Sequence, residues 1–245
     1  MKTKSYHAFL QKLDYFNDDI ELIDVLKVNV LANELTEANG MVLKGVNTEK
    51  YPHLSRRKNS HGSRKNIMHH LRSTVYAAYV KDIYEEVTHY LRSILNFAAE
   101  KGLDSGRVIG DYAFKIDAKD VLRSGNWEKM VKIITDQIFQ RLESERSTIK
   151  LIKDMPRRLG LDIPDDLINE SLPYLEVRHL LVHSDGKTYQ DFRDKFPKIR
   201  LESKGYVLLD HNFIFEMRDA VKKLVESYDR EVIRTELVDK KHTQP

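Results

Sequence analysis

The chain has 245 residues, 41% hydrophobic and 32% charged, with a formal net charge of +3 and no cysteine. That length holds one large domain or two small ones with a packed core, and the small net charge does not by itself announce a nucleic-acid binder. Disulfides and thiolate metal sites are excluded, no run reaches a membrane span and none at the N-terminus has signal-peptide length, so the expectation is a soluble, cytoplasmic protein with no membrane partner.

In chain order, Asn17-Asp-Asp-Ile-Glu21 reads as a helix start, with acids at the positive end of the dipole. Leu22, Ile23, Val25, Leu26, Val30 and Leu31 follow at helical spacing, and Gly40 and Gly45 mark the exit. Residues 40–62 read as irregular. From Arg56 to Arg72 the chain is basic, with no acid and three histidines. Arg56, Arg57, Lys58, Arg64 and Lys65 are the candidate phosphate contacts there, against the plainer reading of a solvated loop. A long helix is predicted from Ser63 to Glu100, uninterrupted by Gly or Pro and stopped at Lys101-Gly102.

A connection follows, with one short helical piece over Asp117–Arg123. Asn126 opens a helix whose apolar face is Met130, Ile133, Ile134, Ile138 and Leu142. A short helix is expected between Ser147 and Gly160. Pro164-Asp-Asp opens the next, in which Pro173 should kink the helix or start a new one running Tyr174–His183. A polar connection reaches Pro197. Residues 198–202 and 206–209 flank Ser203-Lys-Gly205 as a small hairpin, and Asp210 caps a last amphipathic helix through Tyr228. The reading is all-α with a minor β-hairpin before the last helix. Residues 1–62 form an N-terminal helix and basic loop extending the domain, 63–235 the helical domain and 236–245 a frayed tail.

The segment Tyr174-Leu-Glu-Val-Arg-His-Leu-Leu-Val-His-Ser-Asp-Gly186 carries the chemistry. An arginine holds phosphate bidentately at any physiological pH, and a histidine exchanges a proton near neutrality. With 17 Arg and 10 His in the chain, chance supplies roughly 0.7 Arg-x4-His pairs. Three occur: Arg56 with His61, Arg64 with His69, and Arg178 with His183. Only the last lies in an apolar run ending at a glycine. His179 and His183 are four apart and share a helix face, whereas Arg178 and His183 are about 140° apart around a regular helix. The plainer alternative pairs Arg178 with Glu176 or another acid and leaves His183 as a helix-end residue facing the negative dipole.

These residues resemble the HEPN superfamily of α-helical ribonucleases and nucleotide-binding proteins. That pattern is an Arg, a following polar residue and a His a few positions on, here Arg178, His179 and His183. The loop, hairpin-like pair and amphipathic helix downstream are similar, as is the long upstream helix with Tyr76, Tyr79, Tyr84 and Tyr90.

The resemblance implies a HEPN-like bundle and a metal-independent endoribonuclease of toxin or antiviral-defence type. It also implies an RNA substrate, a homodimer, and a possible antitoxin or regulatory protein. His183 would be general acid or base, Arg178 would hold the phosphate and offset its developing charge, and His179 would orient either. Glu176 and Lys187 are the supporting candidates. No cofactor or metal is expected. His69-His70 diverge by about 100° on a helix, and Glu85, Glu86 and His89 read as ordinary helix-face pairs. The tyrosines could stack on bases or simply pack. The competing function is a catalytically silent module that binds RNA, nucleotide or a protein partner. A third reading is a helical adaptor with a chance motif.

Overall fold

The computed structural model describes residues 1–36, 40, 43–102, 115–144 and 148–245, and the side chains of all but 142–144 and 148–150 of these. Among the described residues there are nine helices: α1 Lys4–Leu31, α2 Pro52–Ser55, α3 His61–Glu100, α4 Ala118–Ser124, α5 Trp127–Ser144, α6 Thr148–Leu159, α7 Asp165–His183, α8 Gln190–Lys195 and α9 His211–Arg234. The chain is all-α. Its one described two-stranded sheet joins the two ends, β1 (Lys2–Thr3) antiparallel to β2 (Thr243–Gln244).

Contacts divide the chain into two compact units, Leu13–Tyr79 and a larger one made of Met1–Lys12 with Val80–Pro245. The first helix begins well before Asn17. Tyr6, Phe9, Leu13, Ile20, Ile23 and Val30 are all buried at spacings of three, four or seven, so one stripe runs from the first turn to the last. Asn17 therefore sits mid-helix, and its Oδ1 accepts from the Tyr79 hydroxyl at 3.0 Å instead of capping.

Within Leu13–Tyr79, the two long helices are tied by a polar triangle. Arg72 Nε donates to Asp24 at 2.7 Å, Arg72 Nη2 donates to the Tyr76 hydroxyl at 2.9 Å, and that hydroxyl donates to Asp24 at 2.8 Å. Burial, then the hydrogen bond to Asp24, pushes the Tyr76 phenol up to about 12.

In the larger unit, α7 packs against α6 and α9, and α9 against β1. The core includes Ile83, Ile94, Leu95, Leu175, Met217 and Leu224. Asp229 is a buried carboxylate in α9 that clamps the start of the chain. It accepts from the Thr3 amide (3.2 Å), the Thr3 hydroxyl and the Tyr90 hydroxyl (3.3 Å). Burial raises its pKa, and the bonds from Thr3 and Tyr90 offset part of that rise. The tail expected to fray is held: β2 pairs with β1, and the His242 ring stacks on Phe97 at 3.8 Å.

Three helix starts from Asp117 onward match their sequence signals. Asp117 caps α4 through the Lys119 amide, Asn126 accepts from the Lys129 amide, and Asp210 caps α9 through the Phe213 amide. Met130 and Ile138 are buried in α5 while Ile133 and Ile134 are half-buried; the Leu142 side chain and Ser147 lie outside what is described. The stretch read as a polar connection contains α8, because Phe192 gives it an apolar anchor. The hairpin before α9 forms through an isolated bridge, Leu201 to Val207, and a second bridge joins its far arm to the end of α7, Lys187 to Tyr206.

Candidate functional site

Helix α7 runs unbroken from Asp165 to His183 with Pro173 buried inside it, so no new helix begins at Pro173. Pro173 sits in a segment already fixed on both sides by the buried Leu172 and Leu175, and packing overrides the local preference. Near Pro173, the Tyr174 hydroxyl donates to Glu216 at 3.1 Å. Burial, then the Glu216 charge, pushes this phenol up to about 12.

The stop after His183 is built by the backbone. The Ser184 and Gly186 amides both donate to the Leu180 carbonyl, at 2.8 and 3.0 Å. Asp185 and Gly186 take positive φ of 52° and 82°. Gly186 suits this place because a Cβ there would meet Leu181 Cδ2 at 3.3 Å, in a left-handed conformation that side chains disfavour. The Val207 amide then donates to the Gly186 carbonyl at 2.9 Å. The helix end carrying His183 is thus anchored to the hairpin.

The structure brings His179 and His183 together, with ring centroids 4.4 Å apart. His183 is exposed and His179 half-buried. Arg178 turns elsewhere. Its guanidinium lies over the Tyr84 ring of α3, 4.7 Å from the centroid, and its Nε is buried without a hydrogen-bond partner. Among the described residues no ion pair joins Arg178 to Glu176 or to any other acid. Glu176 Oε1 is itself buried without a partner and does not bond His179. Lys187 is exposed, just past the stop.

The basic residues belong to the Leu13–Tyr79 unit. Arg56, Arg57, Lys58 and Lys65 are exposed. Arg56 is hydrogen-bonded to His53 at 2.7 Å, and Arg64 is engaged by Asn59 at 2.6 Å and Asn33 at 3.2 Å. Arg57, Lys58 and Lys65 remain without an ion pair among the described residues. Tyr76, Tyr79, Tyr84 and Tyr90 are buried, so they pack the interior and do not offer faces to bases. His89 lies 3.9 Å from Glu86, an ordinary i, i+3 contact. Among the described residues no three His, Cys, Asp or Glu are grouped as a metal site would require, and no helix is long and apolar enough to cross a membrane.

Tyr84 as the seat of Arg178 was not signalled by the motif. The aromatic-rich run Tyr76–Tyr90 was visible, but which ring would meet Arg178 depends on how α3 and α7 pack. Comparison with family models, curated proteins and solved structures finds no match for the chain.

Proposed function

We propose that the chain is a metal-independent endoribonuclease of the HEPN type. The substrate's ribose 2′-OH gives up its proton and attacks the adjacent phosphate, the bond from phosphorus to the 5′-oxygen breaks, and that oxygen takes a proton, giving a 2′,3′-cyclic phosphate and a 5′-OH. The observation that carries the reading is a pair of adjacent imidazoles, His179 and His183, on the same helix as an arginine, Arg178, that has no ion pair among the described residues. An arginine held by an aromatic face and lacking an acid keeps its charge for an anionic ligand. His183, exposed at the anchored helix end, exchanges the proton. His179 positions it, and Arg178 holds the phosphate. The exposed Arg57, Lys58 and Lys65 supply further phosphate contacts, with Arg56 and Arg64 shared with their own neighbours. A toxin or antiviral-defence role, a cytoplasmic location, a homodimer, and an antitoxin or regulatory protein as partner complete the proposal.

One feature favours the silent binding module instead. Arg178 rests on Tyr84, about 140° around the helix from His183, so the two converge on one phosphate only if Arg178 swings or another chain completes the site. Expression in a host cell separates the readings. The nuclease slows growth and leaves cyclic phosphate ends on host RNA, and His183→Ala or Arg178→Ala relieves both. A binding module leaves RNA ends unchanged in every variant.

A further inference from the structure

The buried tyrosines of α3 offer no face to a base, but a tyrosine beyond the motif does. Tyr189 is 51% exposed and stands six residues after His183, just before α8. An exposed aromatic alone means little, but this one is held in place. On one side, Thr188 is pinned to the Gly205 carbonyl by its amide at 3.0 Å and its hydroxyl at 2.8 Å. On the other, the Tyr189 carbonyl accepts from the Arg193 amide at 3.3 Å. The ring meets the buried Phe192 edge to face, with centroids 6.2 Å apart. Its open side is therefore a fixed platform, and fixing it in advance lowers the entropy cost of binding.

The platform is tied to the motif. Six residues span at most about 20 Å when extended, and here the path is folded. The Lys187 amide donates to the Ser184 carbonyl at 2.9 Å, and Lys187 bridges to Tyr206. Val182, 45% exposed, adds apolar surface on the motif helix itself. It follows His179 by three residues and so shares its face. Local charge is near balance. Lys187 and Arg193, neither in an ion pair among the described residues, stand among the exposed Asp185 and Asp191. Arg193 bonds instead to Thr188 and Gln190. The feature that stands out here is thus an aromatic face and not a positive patch, which suits a base better than a phosphate.

We propose that Tyr189 stacks an unpaired base of the RNA strand whose phosphate lies at His183, a few nucleotides away at most, so that the site selects single strands and loops over duplex. In a duplex the bases cover one another's faces, and an aromatic platform has nothing to stack on. The inference rests on the reading that the His179–His183 site takes RNA.

Fluorescence anisotropy of a short single-stranded RNA oligonucleotide with the full-length His183→Ala protein, which leaves the RNA uncut, tests it. In that background Tyr189→Ala and Tyr189→Leu each weaken binding by about 5- to 150-fold. Tyr189→Phe retains it, and the salt slope is unchanged because no phosphate contact is lost. Leucine keeps an apolar contact with Phe192, so a merely structural tyrosine would tolerate it. Binding of the same strand annealed to its complement responds to none of the three changes. Single-strand affinity equal in Tyr189→Leu and its parent, a loss of the same size on duplex, or no single-strand binding at all would each overturn the proposal. Cleavage separates it from the ribonuclease reading. Stacking without cleavage by the wild-type chain refutes that reading alone, whereas cleavage with unchanged Tyr189→Leu affinity refutes this proposal alone.

Discussion

Replacing Asp229 tests how the larger unit holds the start of the chain. Its carboxylate satisfies three buried donors: the Thr3 amide, the Thr3 hydroxyl and the Tyr90 hydroxyl. Asp229→Ala orphans all three, and each buried unsatisfied donor costs about 1–3 kcal/mol. Relief from burying the charge offsets part of that sum, leaving a net loss of about 3–5 kcal/mol. At ~2–4 °C per kcal/mol for a chain of this size, the melting midpoint falls by roughly 10 °C. Asp229→Asn keeps one acceptor oxygen and turns an amide toward a donor, so it costs about 1–2 kcal/mol.

The pH dependence of Asp229 has a definite sign. Its folded pKa is raised above the ordinary carboxylate value of 3.8, so the folded state binds the proton more tightly than the unfolded state. The contribution is full below 3.8 and is lost as pH rises through the folded value. Thermal melts across that window should show the gap between wild type and Asp229→Asn narrowing as pH rises. A midpoint shift of less than about 2 °C for Asp229→Ala, or a gap that widens with pH, would refute the clamp.

Two further outcomes follow from the site and the basic loop. Gly186→Ala forces a side chain into a left-handed residue against Leu181 and should destabilise the fold by about 1–2 kcal/mol, read by denaturant unfolding. Changing Arg57, Lys58 and Lys65 together to Gln should leave the melting midpoint nearly unchanged and reduce the salt slope of single-stranded RNA binding by up to about 2. An unchanged slope would remove those three residues from the interface.

Much of the helical framework was legible in the sequence because its signals are local. Asp117, Asn126 and Asp210 announce helix starts, Gly160 and Gly186 announce stops, and the run from Ser63 to Glu100 contains no breaker. The helix start at Asn17 misled because a capping residue type and an interior hydrogen-bonding residue look alike until the partner, Tyr79, is in place. Pro173 misled for the converse reason, since burial on both sides held the helix together. Phe192 within a polar stretch was the overlooked sign of α8.

In the candidate site, the four-residue spacing correctly placed His179 beside His183. The seat of Arg178 was not legible, because it is set by α3 packing on α7 and not by any spacing within the motif. The Asp229 clamp left one trace, an acid four residues after Val225 and three before Val232 on an otherwise apolar stripe.

The most direct test of the central claim is RNA cleavage by purified protein in EDTA, beside His183→Ala. The substrates are tRNA, rRNA and single-stranded oligonucleotides, with product ends analysed. His183 is exposed at a helix end, so its removal changes stability by no more than about 0.5 kcal/mol, and lost activity cannot be put down to unfolding. The account predicts cleavage that persists in EDTA, yields 2′,3′-cyclic phosphate ends and disappears in His183→Ala. Equal cleavage by both proteins, or activity that EDTA abolishes, would contradict it.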